Sequence, residues 1–276
     1  MNMEGTGTWE SLVYGERLCL AKDVKLLHYY STVPRVPLFY FMISSRVNGT
    51  IIHYSSAAVL NEMPRLRKAL FPEPAPQMKP VVKQKSMTKK NNEWYLEFPG
   101  ADASVVYRSQ QFDYQNEQQR PVQFNAYLKT GSLWQTISLA MRALTVVLMS
   151  RSECTRKYLL NNPKYWSGGY VTKEGPTANV TNNVHFTFEM VGKGWPEGAD
   201  VEKTPPNKTV VAKITGKNPA YGSTVVAVLM CAHTILKERQ NMPAPGGVMS
   251  SGSAFKNTTL IQKLTDNDLK YEIVSK

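Results

Sequence analysis

The chain has 276 residues, 42% hydrophobic and 20% charged, with a formal net charge of +12. That length supports a sizeable core, and that balance excludes a disordered chain. The excess of Lys and Arg favours acidic partners, anionic lipid or nucleic acid, without choosing between them.

The opening residues, 1–14, are polar and carry Glu4 and Glu10, so no secretory leader is expected and an intracellular, non-secreted protein is. Residues 19–54 form an apolar block. Within it LFYFMI, 38–43, follows Pro34 and Pro37; buried it is a core strand, exposed an aggregation hazard. Residues 63–90 are basic and proline-rich. Pro64, Pro72, Pro74, Pro76 and Pro80 oppose a long helix and predict an extended segment, either a solvated connector or an arm on anionic lipid.

Alternation predicts strands at 104–114 (SVVYRSQQFDY) and 121–129, the second with Val122, Phe124, Ala126 and Leu128 on one face. Past Gly131 the period becomes helical. Leu133, Ile137, Ala140, Leu144 and Val147 or Leu148 mark one stripe; Gln135, Ser138, Arg142 and Thr145 mark the other. Strands are expected again at 183–192 and 208–215, then an apolar helix at 221–237 ending in Lys237 and Arg239, where cations suit the helix dipole. A Gly/Pro loop, a short helix at 259–264 and an edge strand at 271–274 follow. This order predicts an α+β fold: a mainly antiparallel sheet with helices 133–160 and 221–237 packed on one face.

Few residues suggest chemistry. Cys19, Cys154 and Cys231 form no CxxC pair, and His28, His53, His185 and His233 have no metal-ligand spacing, so no metal site is expected. Cys154 stands near Arg151, Arg156 and Lys157, but no histidine is close in sequence; His185 and His233 are read as structural. Gly192, Gly194 and Gly198 follow a predicted strand. They run into Pro196, Glu197 and Asp200 with no helix, which suits a turn and not a phosphate cradle. Gly246 and Gly247 are also read as a turn with positive φ. The helix at 133–149 approaches the roughly 20 residues of a membrane span, but Arg142 near its middle opposes spanning. It is read either as a core helix or as one lying in a membrane interface. Leu133, Trp134, Ile137, Leu144, Val147 and Leu148 would then meet lipid, with Arg151 at headgroup level.

Several stretches resemble the C-terminal half of the saccharopine dehydrogenase-like oxidoreductases: GTWESLVYG (7–15), DASVVYRSQ (102–110), PVQFNAYLKTG (121–131), GPT (175–177), FTFEMVGKGW (186–195) and APGGVMSSGSAFKNTTLIQKL (244–264). The last is the most specific, joining Gly246 and Gly247 to Phe255 and the helix after it. The resemblance implies an N-terminal Rossmann domain binding NAD(P), followed by an α+β domain that completes the site and often a dimer. It also implies association with lipid droplets or membranes and a link to glycolipid synthesis. No dinucleotide fingerprint is legible in these residues, and the resemblance lapses over 16–54. The expected organisation is therefore a remnant with an apolar insert (1–55), a basic Pro-rich linker (56–101) and the α+β domain (102–276). The expected function is that of a truncated family member, seated on a lipid droplet or membrane surface, holding no cofactor and silent by itself. A homodimer or a full-length paralogue is its expected protein partner. An active NAD(P)-dependent enzyme completed by another chain is the second reading. A nucleic-acid-binding protein is the third, since only Phe71 interrupts the basic run.

Overall fold

The computed structural model describes residues 24–32, 57–70, 76, 85–98, 102–168, 177–195, 206–219, 221–244 and 246–275. The 38–43 run, the 7–15 stretch, Gly175, Pro176 and Gly198 lie outside the described residues. Seven strands form one sheet: β1 (Val24–Thr32), β2 (Met87–Lys90), β3 (Glu93–Glu97), β4 (Gln123–Gly131), β5 (His185–Gly194), β6 (Lys208–Lys217) and β7 (Lys270–Ser275). Their order is β2-β3-β4-β1-β5-β6-β7. β1 runs parallel to β4, and the other five pairings are antiparallel. The α+β architecture and mainly antiparallel sheet are as the sequence predicts.

Nine α-helices stand among the described residues: α1 (Ala57–Leu70), α2 (Asp102–Glu117), α3 (Leu133–Met149), α4 (Glu153–Asn161), α5 (Pro163–Trp166), α6 (Ala178–Asn183), α7 (Gly222–Lys237), α8 (Ser251–Phe255) and α9 (Leu260–Asp266). One face of the sheet carries the core. Val106 of α2 packs on Phe124, Ala126, Met190, Ala212 and Ile214, while Phe186 meets Ala227, Phe255, Leu260, Leu264 and Leu269. Thus α2, α7, α8 and α9 cover the same face. A satellite cluster joins Val146 of α3 to Leu159 of α4, with Trp166 beside it.

Four expectations change. Residues 104–114 are helical, not extended. The inward set Asp102, Val106, Ser109, Gln110 and Asp113 recurs at helical spacing, but it is mostly polar, so hydropathy hides the period. The proline-rich stretch is not extended throughout: α1 runs through Pro64, and the β2–β3 hairpin turns at Asn91 and Asn92, both with positive φ. Side-chain amides ease that left-handed conformation. Within 1–55, β1 supplies the strand between β4 and β5. Finally, the helix expected over 133–160 breaks at Ser150, whose hydroxyl donates to Val147 O, and α4 restarts after Ser152.

The sheet is strongly curved. Lys90 Nζ of β2 lies 2.7 Å from Glu189 Oε1 of β5. Four strand spacings separate those strands, about 19 Å in a flat sheet, beyond the reach of the two side chains. The ion pair therefore closes across the concave face, opposite the core.

Gly216 in β6 faces the other way, into the core. A Cβ there would stand 2.7 Å from ring carbons of Phe186 and 2.9 Å from Leu269. Gly216→Ala is expected to cost about 1–3 kcal/mol through overpacking. A lowered chemical-denaturation midpoint with unchanged slope would confirm it; an unchanged midpoint would refute the tight packing.

Candidate functional site

Helix α3 is mounted with its apolar side outward. Ser132 caps its start: its hydroxyl accepts from Gln135 N–H, and the Gln135 side chain accepts from Ser132 N–H. Thr136, buried, bonds Thr130 of β4 at 2.5 Å and donates to Ser132 O. Arg142 turns inward, its Nη1 donating to Ser167 O, with Gly168 packed so close that a Cβ would collide with the guanidinium. Val146 enters the satellite cluster. At about 100° per residue these attachments share one side of the helix. Leu133, Trp134, Ile137, Met141, Leu144 and Leu148 occupy an arc of about 100° on the opposite side and are exposed, Trp134 at 79% and Leu148 at 54%. Val147 is half-buried beside that arc, and Arg151 is exposed past its end. Contiguous exposed apolar surface of this kind marks a contact site.

The glycine loop forms a second feature. Gly246 and Gly247 have φ of 103° and 133°, backbone conformations that side chains resist. A Cβ at Gly246 would also meet Arg239 Nη2 at 2.9 Å. The loop, α2 and α8 enclose a cavity of ≈ 880 Å³, walled by Arg108, Phe112, Asn116, Met242, Met249, Ser250 and Ser253 among others. Phe255 anchors α8 from the buried side. Ser109 Oγ donates to Val105 O, so Ser250 Oγ, 2.7 Å away, must donate to Ser109. Ser253 Oγ, 2.9 Å from Ser250 Oγ, donates in turn. This ordered chain leaves hydroxyl lone pairs at the cavity wall, able to accept from a ligand hydroxyl or ammonium.

Behind the wall lies a polar seam. Lys256 Nζ donates to Glu117 at 2.6 Å and Gln119 at 2.7 Å, and stands 3.6 Å from Asp113 Oδ1, too far for a hydrogen bond. Gln110 Oε1 accepts from Val122 N–H, but Gln110 Nε2 and Asp113 Oδ1 have no hydrogen-bond partner. Asp113 is 2% exposed. Burial pushes its carboxyl up to about 6; Lys256 pulls it down and Glu117 pushes it up. Periodicity reasoning missed this seam because it occupies the inward face of a helix read as a strand.

The remaining candidates stay apart. Cys154, His185 and His233 are exposed on different elements. Burial pushes the Cys231 thiol up to about 11, leaving it protonated at neutral pH. Gly192 and Gly194 lie in β5 itself. Among the described residues no group of three His, Cys, Asp or Glu could hold a metal, and no helix is long and apolar enough to cross a membrane.

Asp113 binds its proton more tightly folded than unfolded. Stability should therefore fall as pH rises from about 4 to about 6 and then level. Asp113→Asn should flatten that slope, removing at most about 3 kcal/mol of pH dependence. Denaturation series across that range check this, and a slope that survives in the variant refutes the assignment.

No family model matches the chain, and no solved structure does. The chain is 30% identical over 214 residues to the saccharopine dehydrogenase-like oxidoreductase of Homo sapiens, covering 76% of this chain and 50% of that one. It is 29% identical over 246 residues to the Bos taurus protein of the same name, covering 86% and 57%. It is 25% identical over 239 residues to a protein of Caenorhabditis elegans named as lipid droplet localized, covering 82% and 55%. The chain thus spans about half the length of these relatives. The resemblance carried by the glycine loop and its following helix extends through most of these residues, and the chain belongs to the saccharopine dehydrogenase-like oxidoreductase family.

Proposed function

We propose that these residues form the lipid-seated α+β part of a saccharopine dehydrogenase-like oxidoreductase, lying on an intracellular lipid monolayer such as a droplet surface. The observation that carries this is the outward arc of α3, headed by Trp134 at 79% exposure. An aqueous surface gains nothing from such an arc, whereas a headgroup boundary takes up its apolar area. Arg151 is exposed just beyond it, suited to anionic lipid, and Lys157 past it pairs with the exposed Glu153 at 2.9 Å. The name of the Caenorhabditis elegans relative agrees with that location. A substrate in the lipid phase, glycolipids included, would be reached from this seat.

These residues, by this reading, hold no dinucleotide by themselves. The glycines that follow strand alternation, Gly192 and Gly194, sit within paired β5, and their amides serve the sheet. A helix N-terminus aimed at a pyrophosphate needs a different arrangement. Reduction or oxidation of a substrate would draw its cofactor from a separate nucleotide-binding unit.

Flotation of the purified chain with triolein droplets coated by phosphatidylcholine and phosphatidylserine tests the seat. Trp134→Ser combined with Leu148→Gln should lower partition at least about tenfold, from the apolar area removed. Undiminished flotation of the folded variant would refute it. Titration with NADPH should give no saturable signal; micromolar binding would overturn the second part of the reading.

A further inference from the structure

We infer that α7 is a second lipid-contact face, seated on the same monolayer as α3; this rests on the lipid reading of α3. The helix likewise carries apolar residues outward, although Val226, Met230 and Cys231, partly buried, also pack on the core. Ser223 and Thr234 are buried on its inner side, where Ser223 Oγ donates to Lys217 O and Thr234 Oγ1 accepts from Lys263. Ala227 completes the inner face against Phe186. Val225, Val228, Leu229, Ile235 and Leu236 lie outward within an arc of about 120°, Leu229 at 56% and Leu236 at 80% exposure. From 222 to 236 the helix carries no charged residue.

Charge decides in favour of lipid. At the end of α7 stand Lys237, Glu238 and Arg239. Glu238 is folded back: it accepts from Lys263 and from the amide and hydroxyl of Thr259, contacts that hold its carboxyl down at about 2. The acid is paired within the protein while Lys237 is exposed, and Arg239, also exposed, gives one guanidinium nitrogen to Pro243 O. An apolar arc ending in an exposed cation is the arrangement shown by α3 with Arg151, and it complements an anionic headgroup layer.

Topology permits one plane. β4 is parallel to β1, β1 antiparallel to β5, and β5 antiparallel to β6, so β4 and β6 run in the same sense. The helices that follow them, α3 and α7, therefore begin at the same end of the sheet. Binding strength scales with the apolar area buried, so a second helix on the same monolayer adds to the first.

The experiment uses the full chain, triolein droplets coated with phosphatidylcholine and phosphatidylserine, and two variants compared with wild type. One is Trp134→Ser with Leu148→Gln on α3; the other is Leu229→Gln with Leu236→Gln on α7. Each variant is checked by circular dichroism melting and gel filtration. The α7 variant is expected to lose about tenfold in flotation while keeping its melting transition and size. Should it fail to fold, the milder Val225→Thr with Leu236→Thr is used, with a smaller loss in the same direction. Loss in the α3 variant but none in the α7 variant overturns this inference and leaves the reading of α3 standing. Failure of wild type to float overturns both. A wild-type dimer that the α7 variant converts to monomer, with flotation unchanged, assigns the face to a second copy and overturns the lipid assignment.

Discussion

Helix α3 is tied to the body by Thr136, Arg142 and Val146, and that attachment fixes which of its sides meets the surroundings. The Arg142 guanidinium finds a backbone carbonyl inside the fold and needs no lipid or solvent partner. With the cation turned inward, the outer surface of the helix is left uncharged along its length. On α7, the hydroxyls of Ser223 and Thr234 and the small Ala227 are buried, flanked by the partly buried Val226, Met230 and Cys231. Small inward residues let these helices lie close to their neighbours, at the expense of apolar area buried beneath them. Burial among the described residues therefore leaves much of their hydrophobic surface uncovered, the surface that the proposed lipid contact would cover.

The glycine loop has a different logic. Gly246 permits Arg239 to pass close by, and Gly247 takes a conformation closed to side chains. Those constraints hold the loop over α2 and α8, leaving a cavity edged by a chain of hydroxyls. The seam beneath it is under electrostatic tension: Lys256 satisfies Glu117 and Gln119 well, but its distance from Asp113 leaves that carboxyl poorly compensated. Burial, only partly offset by Lys256, is what raises its pKa.

Hydropathy made β4, β5, β6 and both long helices legible, because Phe124, Ala126, Phe186, Met190 and Ile214 alternate cleanly and the helix stripes are apolar. It failed at α2, where the inward residues Ser109, Gln110 and Asp113 are polar; the period was present but invisible to an apolar count. It also failed at Pro64, where a proline marked the segment as extended although α1 continues through it. The family relationship was legible in the loop from Ala244 onward, since its glycines, phenylalanine and helix answer to one local geometry.

By itself the sequence determined the class of fold, the family, the apolar character of both long helices and a stripe on the first, because these follow from spacing along the chain. Only the tertiary structure decided which way the stripes point. An amphipathic helix can bury its apolar side or its polar side, and the sequence of the helix is the same in both cases. Here the choice was made by residues far from α3 and α7 in the chain: Ser167, which receives Arg142, and Lys263, which reaches both Thr234 and Glu238. Those contacts exist only once the sheet has brought its helices together, so the sequence left the 133–149 helix open between core and interface, and only the fold turned these faces outward.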